Sequence, residues 1–175
     1  KPINEFAYFD VIKPIIDCYF DTLINCGLCI EAHAQNILIA IDKTYHIKNV
    51  VVRDMESVDK DLPLRKFLGL PDNEILAQNY KCLRESDYNY QIMHSFMYDF
   101  KLGFYLLDPI IELLKKIYVD FNEDLIISQI KALAQSYITK LPTDYFPVCW
   151  YDYANVIHEQ GKKRPYVAHE NPRYR

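Results

Sequence analysis

The feature that most constrains this chain is a polar stretch set between two very apolar ones. Glu31-Ala32-His33-Ala34-Gln35-Asn36 follows a segment from Cys18 to Ile30 that is rich in Leu, Ile and Cys. It precedes Ile37-Leu38-Ile39-Ala40-Ile41. Polar side chains that interrupt buried runs must be paired or must line a cavity. Ile37–Ile41 is short, continuous and β-branched, and reads as a buried strand. Asp42-Lys43-Thr44-Tyr45 reads as a turn and His46–Val52 as the returning strand. With the turn near Lys43–Thr44, paired residues have numbers that sum to about 87. Asn36 then lies opposite about Val51, and His33 opposite about Asp54. His33, Gln35, Asn36, Arg53 and Asp54 are thus expected together at the open end of one hairpin.

The residue types suggest the chemistry. Glu31 and Asp54 are hard oxygen donors suited to Mg²⁺, and Asn36 or Gln35 adds a neutral carbonyl oxygen. Mg²⁺ takes one or two carboxylates plus substrate phosphates, so a sparse set fits a nucleotide site better than a closed cage. His33 and Arg53 suit a phosphate or a substrate carboxylate. The pattern follows the logic of a phosphoryl-transfer site, in which an Asn and a later Asp hold metal on a nucleotide. The bland alternative is that His33 and Asn36 cap the junction of helix and strand.

Gly27 to Asn36, followed by Val51-Val52-Arg53-Asp54, resembles the E-A-H-x-Q-N…R-D signature of the IucA/IucC family, the NRPS-independent siderophore synthetases. Asn171-Pro172 near the end is similar to the family's N-P-L, with Arg173 in place of Leu. The resemblance implies a cupped-hand fold with fingers, palm and thumb. It implies an ATP- and Mg²⁺-dependent enzyme that adenylates citrate or a related carboxylate and condenses it with an amine or hydroxyl. His33 would be the catalytic residue. His33, Gln35, Asn36 and Arg53 would bind ATP phosphates, and Glu31, Asn36 and Asp54 the metal. Family enzymes are much longer, so residues 1–175 are expected to be a single C-terminal lobe that works with an N-terminal remainder, and the resemblance implies a homodimer. Residues 1–60 would form a helix plus the site-bearing hairpin, and residues 61–175 a helical region with an extended tail. No Gly-rich phosphate loop is visible among Gly27, Gly69, Gly103 and Gly161.

Composition narrows the partners. A net charge of −4 argues against nucleic acid. No run reaches ~18 consecutive apolar residues, so no membrane span is expected. Five scattered cysteines fit a reducing compartment, and a cytoplasmic protein is expected. Cys26-Gly27-Leu28-Cys29 is a lone CxxC without the second pair that a zinc site needs, so its cysteines read as small buried residues.

The rest of the chain reads as helices and loops. Phe6 to Leu28 carries a helical apolar stripe from Val11 to Ile24, with Pro14 near its start or at a kink. Residues 55–63 are charged, end in Pro63 and read as a loop. Arg65 and Lys66 read as solvated charges. Asp72 is a candidate N-cap for a helix from Asn73 to about Arg84. Tyr90 to Lys116 is long and aromatic, with Gly103 and Pro109 expected to break it. Met93 and Met97 read as core, and His94 as a satisfied core histidine without a visible partner. Residues 120–124 cap a helix from Leu125 to Leu141. Phe146–Tyr151 reads as extended or as the lead into a short helix, and the basic tail from Gln160 as a solvated end.

The expected fold is therefore α+β and mostly helical, with a small antiparallel hairpin that carries the site. Three functions compete: part of a siderophore synthetase, a non-catalytic binding or assembly module, and a ferric-siderophore reductase-like protein. The last would need cluster cysteines near the C-terminus, where only Cys149 lies.

Overall fold

The computed structural model describes residues 1–44, 46–55, 58–71, 81–85, 90–153 and 166–175. It is an α+β protein, about half helical, with three small sheets. In chain order the elements are helix α1 (residues 3–26), β1 (Leu28–Cys29), β2 (Ile37–Ile41), β3 (Ile47–Val52), β4 (Asp59–Asp61), α2 (Leu62–Phe67), β5 (Lys81–Leu83), α3 (residues 90–117), α4 (Glu123–Ile138), β6 (Trp150–Tyr153) and β7 (Tyr166–His169).

The apolar stripe of α1 is buried as its spacing predicts: Ile12, Ile15, Ile16, Tyr19, Phe20 and Leu23 all face the core. Gly27 ends the helix in the left-handed region, at φ 60°. A side chain there would also strike the stem of Arg65, since an ideal Cβ would lie 2.1 Å from Arg65 Cγ. Glycine at this point lets the chain turn directly into β1.

Neither proline breaks its helix. Phe6–Ile12 and Phe96–Leu107 are π-helical, and each runs into an α segment with proline in its first turn, at Pro14 and Pro109. Lys13 N–H bonds to Tyr8 O, and Asp108 N–H to Gly103 O, each five residues back. In a plain α-helix the proline ring meets the carbonyl four residues back. The wider turn just before each ring removes that clash and keeps the helix continuous. Gly103 is not a break either. Its bare face receives the ring of Tyr174, with an ideal Cβ only 3.0 Å from Tyr174 Cδ2.

The loop expected at 55–63 contains instead the buried strand β4 and the first turn of α2. β4 pairs antiparallel with β1, through Leu28↔Lys60 and Cys29↔Asp59, and parallel with β5. Residues 81–83, expected at the end of a helix from Asn73 to about Arg84, are that strand; residues 73–80 of the expected helix lie outside the described residues. Asp59, Lys60 and Asp61 read as surface from their charge, yet all three are buried. Arg65 is buried too. Its guanidinium bonds to the carbonyls of Cys26 and Pro71, which caps the end of α1. Lys66 is exposed as expected.

The hairpin β2–β3 forms with Ile37↔Val52, two residues further along β3 than the symmetric turn predicts. A register shift between Ala40 and Ile41 accompanies this. The turn is fixed by Asp42 Oδ1, which accepts from Thr44 N, Thr44 Oγ1 and His46 N at 2.8, 2.7 and 3.0 Å. Of β2 only Ile37 is buried; Leu38, Ile39, Ala40 and Ile41 are exposed, so this is not the buried strand its composition suggests.

One core runs from Ala7 to Tyr174. Tyr19 and Phe20 of α1 pack on Tyr98 of α3, and Phe20 stacks on Tyr137 of α4 at 4.8 Å. Asn122 caps α4 by accepting from Leu125 N. The C-terminal segment is docked rather than solvated. β7 pairs with β6, Arg173 bridges Asp108 and Glu123, and Arg175 reaches Asp99. Lys162, Lys163 and Arg164 lie outside the described residues. No described helix is long and apolar enough to cross a membrane.

Candidate functional site

The motif residues 31–36 form a compact turn between β1 and β2. Asn36 N and Ile37 N both donate to His33 O, at 2.9 and 3.2 Å. The Asn36 amide donates to Glu31 O at 3.0 Å, and this side chain is 4 % exposed. Asn36 therefore ties the two ends of the turn together, a local role that any further one must accommodate. Gln35 N donates to His33 Nδ1 at 3.2 Å. Nδ1 is thus the acceptor nitrogen, and Nε2 carries the proton. Nε2 lies 4.0 Å from Glu31 Oε2.

The other end of the hairpin junction is held by backbone. Arg53 N donates to Asn36 O at 2.9 Å, so Asn36 faces Arg53 and not Val51. Because His33 lies in the turn, it has no strand partner, and the expected pairing with Asp54 does not form. Arg53 and Asp54 are exposed. Asp54 adopts φ 62°, a left-handed backbone that Asp tolerates better than most residues.

A partner missed in the sequence completes the site. Lys101, on the π-helical part of α3, is ion-paired with Glu31 Oε1. Its ammonium also lies over the rings of Phe96 and Tyr105, 5.3 and 6.0 Å from their centroids. The paired side chains are only 17 % and 21 % exposed, so this is a partly desolvated pair. His33, Ala34, Gln35, Phe100, Lys101, Tyr105 and Tyr153 line a cavity of about 440 Å³. One signal for Lys101 was legible: it is the single Lys or Arg between Tyr90 and Leu114.

The donors suit an anion. His33, Lys101 and Gln35 all line one cavity, flanked by the rings of Phe100, Tyr105 and Tyr153. A phosphate or carboxylate of modest size fits this set. For Mg²⁺ the fit is narrower. Glu31 is already compensated by Lys101, whereas Asp54 is exposed and has no ion-pair partner among the described residues.

A second polar cluster is buried beneath β4. Asp61 Oδ1 accepts from Leu64 N at 2.9 Å and from Tyr90 Oη at 3.0 Å. Asp61 Oδ2 accepts from Tyr145 Oη at 2.8 Å and faces His94 Nε2 at 3.0 Å. His94 Nδ1 donates to Tyr145 O at 2.9 Å, and the imidazole stacks on the Tyr145 ring. Burial pushes the Asp61 carboxyl up, but the hydrogen bonds from His94, Leu64 and Tyr145, with the charge of His94, outweigh it and hold the acid below its usual range. Burial drives the nearby Cys29 thiol far up, and the Asp61 charge adds to the effect. His94 is the satisfied core histidine its apolar surroundings predict, with Asp61 as the partner the sequence did not reveal. The CxxC is split: Cys29 is buried and Cys26 exposed, and all five cysteines are free thiols.

No family model matches the chain, and no curated protein or solved structure matches it.

Proposed function

We propose that this chain is the C-terminal, palm-and-thumb part of a siderophore synthetase similar to the IucA/IucC enzymes. It forms one wall of a site where a citrate-like carboxylate is adenylated with ATP and then joined to an amine or hydroxyl. The observation that carries the reading is that His33 and Gln35 of the motif line a cavity into which a distant helix delivers a cation, Lys101, that is ion-paired with Glu31 of the same motif.

In this reading Lys101 neutralises the anion, a phosphate oxygen or the substrate carboxylate, and His33 donates a hydrogen bond to it from Nε2. Gln35 adds a neutral hydrogen bond at the exposed rim, and Arg53 supports the phosphates from the hairpin end. Asn36 holds the turn that aims His33, and Asp54 supplies the carboxylate for Mg²⁺. Bound Mg²⁺ would withdraw charge from the phosphate oxygens. Glu31 works mainly by fixing Lys101 and joins the metal only by releasing it. Phe100, Tyr105 and Tyr153 flank the cavity, and the partial burial of Lys101 strengthens its charge contact.

Calorimetry of ATP with Mg²⁺, on this chain and then with an upstream half added, tests the proposal. Binding that is lost in Asp54→Asn and weakened at least tenfold in Lys101→Met is the expected result. Absence of binding in both arms overturns it in favour of a non-catalytic assembly module.

A further inference from the structure

The cluster beneath β4 has the donor set of a transition-metal site. One ligand atom each from Cys29, Asp61 and His94 lies within 4.8 Å of the other two, and all three residues are buried. Among the described residues this is the one place where three such donors converge. Zinc bonds of about 2.0–2.3 Å at tetrahedral angles put ligand atoms roughly 3.3–3.8 Å apart. The spacing here therefore needs only small shifts to close on an ion.

The surroundings are arranged as metal sites require. A ligating histidine donates its other ring N–H to a carbonyl or carboxylate, which fixes the tautomer and aims the free nitrogen. His94 does this through Nδ1 and Tyr145 O, and Nε2 is left pointing at Asp61 Oδ2. The Asp61 carboxylate is anchored on its other oxygen by Leu64 N and Tyr90 Oη. Tyr145 Oη touches both remaining donors, at 2.8 Å from Asp61 Oδ2 and 3.7 Å from Cys29 Sγ. Tyr90 and Tyr145, which both bond Asp61, also line a cavity of about 630 Å³ beside Pro63 and Phe67, so the buried donors lie one side chain away from it.

We infer that Cys29 Sγ, Asp61 Oδ2 and His94 Nε2 bind a Zn²⁺-class ion, with a fourth position left beside Tyr145 Oη. Thiolate with imidazole favours zinc over Mg²⁺, so the site is distinct from the nucleotide metal proposed above. The charge balances without the ion and with it. Filled with protons, the cluster holds a thiol and one proton between His94 and Asp61. Zn²⁺ replaces those two protons, so the formal charge of the buried site does not change. That balance removes the usual objection to an ion in a dry interior.

The test uses the full chain, isolated and also refolded from denaturant in the presence of Zn²⁺ or Co²⁺. Elemental analysis should find about one ion per chain. The Co²⁺ form should show the strong visible bands of tetrahedral cobalt and a thiolate-to-cobalt charge-transfer band. Cys29→Ser should abolish that charge-transfer band, and Cys26→Ser, at the exposed neighbour, should keep it. The wild-type spectrum decides the matter even if Cys29→Ser fails to fold. A folded wild-type chain that takes up no ion, that binds Co²⁺ without the charge-transfer band, or that loses the band in Cys26→Ser overturns the inference.

Discussion

Arg175 Nε donates to both oxygens of Asp99, at 3.0 and 2.9 Å, in a pair that is only 9 % and 4 % exposed. Ser95 Oγ donates to the same carboxylate at 2.7 Å, and Arg175 Nη2 reaches Cys149 O at 3.0 Å. The last residue of the sequence is thus pinned to the middle of α3. Removing one partner of such a pair leaves a buried charge uncompensated. Arg175→Ala is expected to cost roughly 3–5 kcal/mol in urea denaturation. A loss below about 1 kcal/mol would mean that the pair is solvated like an ordinary surface bridge.

The same acid predicts a pH dependence. Burial raises the Asp99 carboxyl to about 6, outweighing the opposing pull of Arg175 and Ser95. Its value in the unfolded chain is lower, about 4. Between those two values the folded state binds a proton that the unfolded state does not, so stability falls as pH rises from about 4 to about 6. Outside that window Asp99 contributes no slope. Denaturation midpoints across this range should lose this component in Asp99→Asn. An unchanged profile in that variant would assign the slope to other groups.

These contacts show what a linear reading can and cannot see. The apolar stripe of α1, a cap within residues 120–124 and the existence of the hairpin, though not its register, were legible because each depends on neighbours a few residues apart. The buried charges were not. Asp61, Arg65, Asp99 and Arg175 look like surface residues until their partners arrive from 33, 39, 76 and 76 positions away. Pro109 misled for a local reason: a π-helical turn before it lets the helix continue, as another does at Pro14. The candidate site divides the same way. The motif marked where polar residues gather, but it placed His33 and Asn36 in a paired hairpin end rather than in the turn they form; Lys101 arrives only through packing of α3.

The contact of Gly103 with Tyr174 reverses a familiar substitution. Alanine for glycine inside a helix ordinarily gains about 1 kcal/mol. Here the new methyl would meet a ring that is 2 % exposed and held by its hydroxyl on Asp108. Gly103→Ala should therefore destabilise, by roughly 1–2 kcal/mol. In a Tyr174→Ala background the same change should be neutral or favourable, giving a coupling that a double-mutant cycle measures. Equal effects in both backgrounds would refute the contact.

The hairpin gives a sharper contrast between sequence and structure. Ile41 belongs to a run that reads as core, yet it is 55 % exposed in the folded chain. If it were buried, lysine there would cost several kcal/mol. Ile41→Lys is expected to change stability by less than about 0.5 kcal/mol in chemical denaturation. Ile37→Lys, at the one buried position of the same strand, should instead prevent stable folding. Matching losses for the two variants would show that the outer part of β2 is covered in solution.

The pair of Glu31 and Lys101 separates holding a ligand from holding the fold. If Lys101 serves mainly as the structural counter-ion of Glu31, the double variant Glu31→Gln, Lys101→Met should keep both stability and ligand binding. If Lys101 neutralises a bound anion, the double variant folds but binds poorly. The pair is partly exposed, so its direct contribution to stability is modest, about 1 kcal/mol. Glu31→Gln alone then frees Lys101 and should bind a phosphate or carboxylate ligand more tightly, because the competing carboxylate is gone. A two- to fivefold gain corresponds to about 0.4–1 kcal/mol. Titration of citrate and of ATP with Mg²⁺ into the wild-type chain and these variants distinguishes the cases. Weaker binding in Glu31→Gln would reassign Glu31 from anchoring Lys101 to contacting the ligand or its metal.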